Sequence, residues 1–224
     1  MKQSRKAAAV AKAAAFALLS PLLIFLASCS HAPVEARPGM SYTGIATWYG
    51  PGFQGNRTAS GEVYDMDGMT AAHKTFPFGT KLRVTNPKDG RSVVVVVNDR
   101  GPFVAGREID LSRGASRAIG VSYGEVIIEV LGRDDRYVKT VKTGSTSGRG
   151  SYRVQVGAFV DPWNAEHLKE GLDLGYDNVR ITQATVNGRQ FNRVQVGAYA
   201  IRDDAYRAAA LLANEGYDTL VVRE

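Results

Sequence analysis

The chain has 224 residues, 44% of them hydrophobic and 22% charged, a balance that excludes a wholly disordered or fibrous protein and allows one or two domains. Its formal charge of +6 sits mostly at the start, because residues 1–28 carry Lys2, Arg5, Lys6 and Lys12 and no acid. Residues 42–139 hold 13 basic and 11 acidic side chains and residues 151–224 hold 8 and 10, so neither region is the polycation that nucleic-acid binding requires.

Residues 1–28 read as an export signal: a basic start, an apolar run from Ala13 to Ala27, then small residues. That run is shorter than the roughly 20 residues a spanning helix needs, and Pro21 interrupts it. The chain's single cysteine, Cys29, follows directly and has no internal disulfide partner. The join Leu26-Ala27-Ser28-Cys29 is similar to the bacterial lipobox. That similarity implies cleavage before Cys29, lipidation of Cys29 and, with Ser30 next, passage to the outer membrane. A plain signal peptide with an incidental cysteine is the other reading. Residues 29–41 form a tether.

Residues 42–139 alternate like β structure between glycines. Ile45–Tyr49, Lys81–Thr85, Ser92–Val97 and Glu125–Leu131 are strand candidates, and the five valines 93–97 predict a strand covered on both faces. Asn86-Pro-Lys-Asp-Gly90 is a hairpin turn signal. Ser112–Ile119 is the one helix, with Ser112 as N-cap and Gly120 as its stop. Short strands with little helix point to a small barrel.

Residues 140–150 have the Gly/Ser/Thr composition of a flexible linker. Residues 151–224 then contain a repeat: Arg153-Val-Gln-Val-Gly-Ala158 recurs as Arg193-Val-Gln-Val-Gly-Ala198. Each copy leads into a helix, the first capped by Asp161 with Pro162 following, the second starting near Asp203 and closed by Gly216. The order is β-α-β-β-α-β, an α+β ferredoxin-like sandwich. With the valines facing the helices, Arg153, Gln155, Arg193 and Gln195 share the open face of the sheet.

Two polar clusters interrupt the barrel pattern. One is Thr58-Ala-Ser-Gly-Glu62 with His73 beyond it; the other is Asn98-Asp-Arg-Gly-Pro-Phe103, with Arg107 and Asp110 following. Asp99 closes a buried strand, where position is fixed and the surroundings can tune a carboxyl; it either serves chemistry or pairs with Arg100. His73 either joins Asp99 or holds a loop carbonyl. Trp48, Tyr49 and Phe53 either line a binding groove or fill the core. His31, His73 and His167 are too dispersed to suggest a metal site, and no cofactor motif is present.

The segments Gly44-Ile-Ala-Thr-Trp-Tyr-Gly50, Thr58–Glu62, Thr70-Ala-Ala-His-Lys-Thr-Phe-Pro-Phe-Gly-Thr80, Val97–Phe103 and Gly106–Ser112 resemble the rare lipoprotein A family, and Tyr152–Phe159 resembles a SPOR domain. The resemblance implies an all-β double-psi β-barrel followed by the α+β SPOR domain. It implies an endolytic peptidoglycan lytic transglycosylase that cuts glycan strands lacking stem peptides, leaves 1,6-anhydro ends and gathers at the division septum. By motif its functional positions fall on Glu62, His73 and Asp99, with Asp99 as acid and then base. It further implies denuded glycan and divisome proteins as partners and a lipid-anchored, periplasm-facing location. The alternative is an expansin-like lipoprotein that binds peptidoglycan without cutting it.

Overall fold

The structure, a computed structural model, describes residues 36–141 and 148–224; the expected export signal, Cys29 and residues 142–147 of the expected linker lie outside the described residues. The first domain comprises strands β1 (Ser41–Trp48), β2 (Thr70–His73), β3 (Thr80–Thr85), β4 (Ser92–Asp99), β5 (Ile109–Leu111) and β6 (Tyr123–Arg133), with helix α1 (Arg113–Ile119) before β6. The strands close into a barrel in the order β1-β5-β2-β4-β3-β6. Pairs β1–β5 and β2–β4 are parallel, and β1 closes on β6 antiparallel, with Ser41 opposite Glu129.

Alternate positions fill the barrel. Ala46, Leu82, Val84, Val95, Val97, Ile109, Leu111, Val126, Ile128 and Val130 are all fully buried, each large aliphatic among them contributing about 1.5–3 kcal/mol. The four expected strands fall on β1, β3, β4 and β6, the first running one residue past the end of β1 at Trp48, while β2 and β5 were not foreseen. The valine run departs from expectation, because Val94 is 46% exposed. The first half of β4 is an ordinary stave with one wet face. Only its end, Val97–Asp99, is buried on consecutive residues, where the second domain reaches it.

The local signals operate as written. Gly90, at φ +75°, donates to the Asn86 carbonyl at 2.9 Å and closes the hairpin. The Ser112 hydroxyl accepts from Ala115 N–H, and Gly120 ends α1 in the left-handed region.

The second domain runs β7 (Arg149–Phe159), α2 (Pro162–Asp173), β8 (Arg180–Val186), β9 (Arg189–Ile201), α3 (Arg202–Glu215) and β10 (Leu220–Arg223). Its antiparallel sheet has the order β10-β7-β9-β8. Val154, Val156, Val194 and Val196 are buried together with Ala165, Leu168 and Leu172 of α2 and Ala209 and Leu212 of α3. Asp161 caps α2 by accepting from Trp163 N–H at 2.9 Å. Helix α3 begins at Arg202 without a side-chain cap, since β9 runs straight into it.

The two domains pack against each other, and their buried apolar residues form one contiguous cluster. Phe78 N–H donates to the Glu215 carbonyl at 2.9 Å and Lys139 N–H to the Ala213 carbonyl at 3.0 Å. Arg100, 3% exposed, stacks its guanidinium 3.9 Å above the Phe78 ring and 5.3 Å from that of Tyr217. Gly171, inside α2, lets the helix backbone settle onto Arg100: a Cβ there would stand 2.6 Å from Arg100 Cβ.

Candidate active site

The two polar clusters of the barrel meet at the end of β4. Asp99 is 6% exposed, and its Oδ1 accepts from Ala59 N–H and from Arg100 N–H, both at 2.8 Å. The Thr58–Glu62 loop thus contributes a backbone amide to the carboxylate. A cleft of about 340 Å³ opens beside Asp99, bounded on the barrel side by Tyr49, Phe53, Ala72, Phe103 and Asp110. The other wall is Trp163, Glu166, His167 and Glu170 of α2. The ring nitrogen Nε2 of His167 stands 2.9 Å from Asp99 Oδ1.

Of the three aromatic candidates, Tyr49 and Phe53 line this cleft and Trp48 does not. Tyr49 stacks on Tyr64 at 4.3 Å between ring centroids and meets Phe53 edge-on at 5.9 Å. Burial, with Asp99 nearby, pushes the pKa of its hydroxyl up against a hydrogen bond from Thr70. Asp110 is engaged by the Thr47 hydroxyl and by Arg107 at 2.9 Å.

Glu62 and His73 do not line the Asp99 cleft. Glu62 lies exposed in a neighbouring depression with Ser60, Arg136 and Tyr137. It accepts from Asn98 Nδ2 at 2.7 Å and from the Tyr137 hydroxyl at 2.6 Å. Asn98 therefore ties it to the same strand end as Asp99.

His73, 3% exposed, lies on β2 beside Ala72, which is paired with Asp99 across the strands. Its Nδ1 accepts from Phe76 N–H at 3.0 Å and Thr75 N–H at 3.3 Å. The proton of the neutral ring is therefore on Nε2, shared between the Tyr42 hydroxyl at 3.1 Å and Glu108 Oε1 at 3.3 Å. Burial lowers the His73 pKa despite Glu108, and the bond to His73 lowers that of Glu108. Arg100 donates to the Phe76 carbonyl at 3.0 Å, so His73 and Arg100 brace the same short turn.

On the open face of the second sheet, Gln155 stands opposite Gln195, and Gln195 opposite Arg180. Gln195 is buried and its Oε1 accepts from Nε and Nη2 of Arg180, both at 3.1 Å. Arg153 donates to the Gly197 carbonyl and pairs with Glu224 at 3.2 Å; Arg180 also pairs with Glu224. Arg193 is half-buried on β9. Sequence reasoning missed Arg180, which lies outside the repeated motif, and His167, which it placed on a helix of the other domain. It also missed Tyr42 and Glu108, whose only signal is their pairing with His73.

The family profile described as "Lytic transglycolase" matches residues 41–133, and that described as "SPOR domain" matches residues 148–223. The endolytic peptidoglycan transglycosylase RlpA of Campylobacter jejuni is 37% identical over 213 residues, covering 87% of this chain and 76% of its own. RlpA of Pseudomonas aeruginosa strain UCBPP-PA14 is 46% identical, covering 86% and 74%. A probable RlpA of Synechocystis is 57% identical over 91 residues, but this chain spans only 28% of its length. The crystal structure of the RlpA SPOR domain from Pseudomonas aeruginosa aligns with 34% of this chain and 100% of that one, at 34% identity and a TM-score of 0.28. With both domains matched in order and relatives aligned across most of both chains, this protein belongs to the RlpA family.

Proposed function

We propose that this enzyme, an endolytic peptidoglycan transglycosylase like its relatives, cuts the β-1,4 bond between N-acetylmuramic acid and N-acetylglucosamine in strands lacking stem peptides, leaving 1,6-anhydro ends. The observation that carries the reading is Asp99, a nearly buried carboxylate at the edge of a cleft walled by Tyr49, Phe53, Phe103 and Trp163. Aromatic faces suit sugar faces. Asp99 protonates the leaving oxygen and then takes the proton from the muramic C6 hydroxyl, which attacks C1 in place of water. A hydrolase would set a second carboxylate to activate water or attack. Asp110, the other barrel carboxylate here, is occupied by Arg107 and Thr47, an arrangement suited to orienting a ligand.

In this reading Glu62 and His73 support the site from either side. Glu62 steadies Asn98 next to Asp99, and His73 shapes the turn that Arg100 also holds. Arg153, Gln155, Arg193 and Gln195 form the second domain's surface for denuded glycan, which takes the protein to the septum and its divisome partners. Lipidated Cys29 anchors the chain in the outer membrane, facing the periplasm.

The test is mass spectrometry of denuded glycan strands after incubation with the full chain and with Asp99→Asn. Anhydro-ended fragments from the wild type, falling by about 10²–10⁴-fold in the variant, are expected. Water-added ends would make it a hydrolase, and intact strands an expansin-like binder.

A further inference from the structure

The barrel does not build the wall of its own site alone. His167, on α2 of the second domain, meets Asp99 across 68 residues of chain. Its ring is clamped: Trp163, one helical turn before it, stacks on it at 4.9 Å and 9° between planes. Phe103 of the barrel meets it edge-on at 5.7 Å. The helix carrying it is equally fixed, because Gly171 sits on the side chain of Arg100, the residue after Asp99. Arg100 in turn bonds to Tyr217 and to the Phe76 carbonyl from a buried position. An imidazole held from both domains is a built part of the site.

We propose that His167 is a positioning residue for glycan cleavage, acting through Asp99: the two side chains share one proton and keep it available at neutral pH. This rests on the reading of Asp99 as the acid and base. A general acid must hold a proton as the glycosidic oxygen departs, and an imidazole at hydrogen-bonding distance from the carboxylate supplies one. The charged groups around the ring are Asp99 and Arg100 from the barrel, Glu166 and Glu170 on its own helix, and Asp110 across the cleft. Burial opposes the imidazolium, but the bond and charge of Asp99 prevail, with Glu170 adding, and its pKa is raised.

The proton balance closes without any further reactant. The Nε2 proton passes to Asp99 and from its carboxyl to the glycosidic oxygen as the bond from that oxygen to C1 breaks. The muramic O6 bonds to C1, its proton goes to Asp99 and returns to His167. The pair ends as it began.

The experiment compares rate against pH for the detergent-solubilised full chain, His167→Gln and His167→Ala, with denuded glycan strands as substrate. Glutamine keeps an N–H near the Nε2 position but cannot titrate. Both variants should lose about 10–100-fold at neutral pH, and the alkaline limb of the profile should move about one unit or more toward acid. A loss equal at all pH values, with the limb unmoved, would show a merely structural contact and overturn the proposal. Ring titration by NMR gives a second measure that needs no turnover. Asp99→Asn should lower the His167 pKa, and an unchanged value would overturn the pairing. If the wild type cuts nothing, the proposed activity fails, and the ring titration still decides whether the pair exists.

Discussion

Arg100 donates its Nε–H to the Tyr217 hydroxyl at 2.8 Å, across 117 residues of chain. This one side chain ties the strand end bearing Asp99 to the loop after α3. It lies near Glu215 as well, with Nη2 4.0 Å from Oε2, and burial pushes the Glu215 carboxyl above its ordinary range. Arg100→Ala would leave the Tyr217 hydroxyl and the Phe76 carbonyl short of a donor in a buried interface. The expected cost is about 3 kcal/mol in urea unfolding of the full chain. Arg100→Lys should recover little, because an ammonium cannot reproduce the planar fork between two rings. A loss within about 0.5 kcal/mol, the range of ordinary surface changes, would show that the interface does not depend on this residue.

Gly171 gives a prediction whose sign depends on context. Glycine inside a helix costs about 1 kcal/mol relative to alanine. In residues 148–224 alone, Gly171→Ala should therefore raise the unfolding free energy by up to about that amount. In the full chain the added methyl meets Arg100 Cβ and Cγ, so the same change should lower it. Opposite shifts in paired denaturation curves are the expected result; shifts of the same sign would mean that α2 does not sit on Arg100 in solution.

Two histidines should shape the pH dependence of stability in opposite directions. The His73 pKa is lowered by burial, so the unfolded chain binds more protons there, and stability falls as pH drops below about 6.5. The His167 pKa is raised by Asp99 against its burial. Its contribution is full below about 6.5 and is lost as pH rises through the folded value. Melting temperatures between about pH 5 and pH 8 should show the acid-side decline flattened in His73→Gln and the alkaline-side decline flattened in His167→Gln. Each variant is judged by the shape of its curve, since both also lose a hydrogen bond.

On the open sheet face, Glu224 lies against both Arg153 and Arg180. If the acidic lactyl group of unsubstituted muramic acid binds there, Glu224 competes with it. Glu224→Ala should strengthen sedimentation with denuded sacculi several-fold, on the order of 1 kcal/mol. Gln155→Ala combined with Gln195→Ala should weaken it, because Gln195 also holds the Arg180 fork. Unchanged sedimentation in all these variants would move the glycan surface elsewhere.

What the sequence shows and what it hides follow from the range of each signal. Ser112, Gly120, Asp161 and Gly216 announce helix ends because a cap satisfies groups within three or four residues. The repeated Arg-Val-Gln-Val announces a two-faced strand for the same local reason. Strands β2 and β5, four and three residues long, are too short to show a period. His167 reads as an unremarkable helix position, since its significance lies in a contact with another domain. Asp99 is legible as a site because it ends a buried strand, but its partner is not.

The closed barrel joins its first strand to its last, Ser41 on β1 to Glu129 on β6. Between them, β5 and β2 are inserted out of chain order, held to β1 and β4 by parallel pairs. No contiguous part of residues 41–133 can form a sheet without an open edge, so removing either end takes out a stave. Folding must therefore wait for contacts between the extremes of the domain, which makes it cooperative and slow for its size. A chain threaded lengthwise through a membrane would have no finished barrel to jam the passage until nearly all of that domain had crossed.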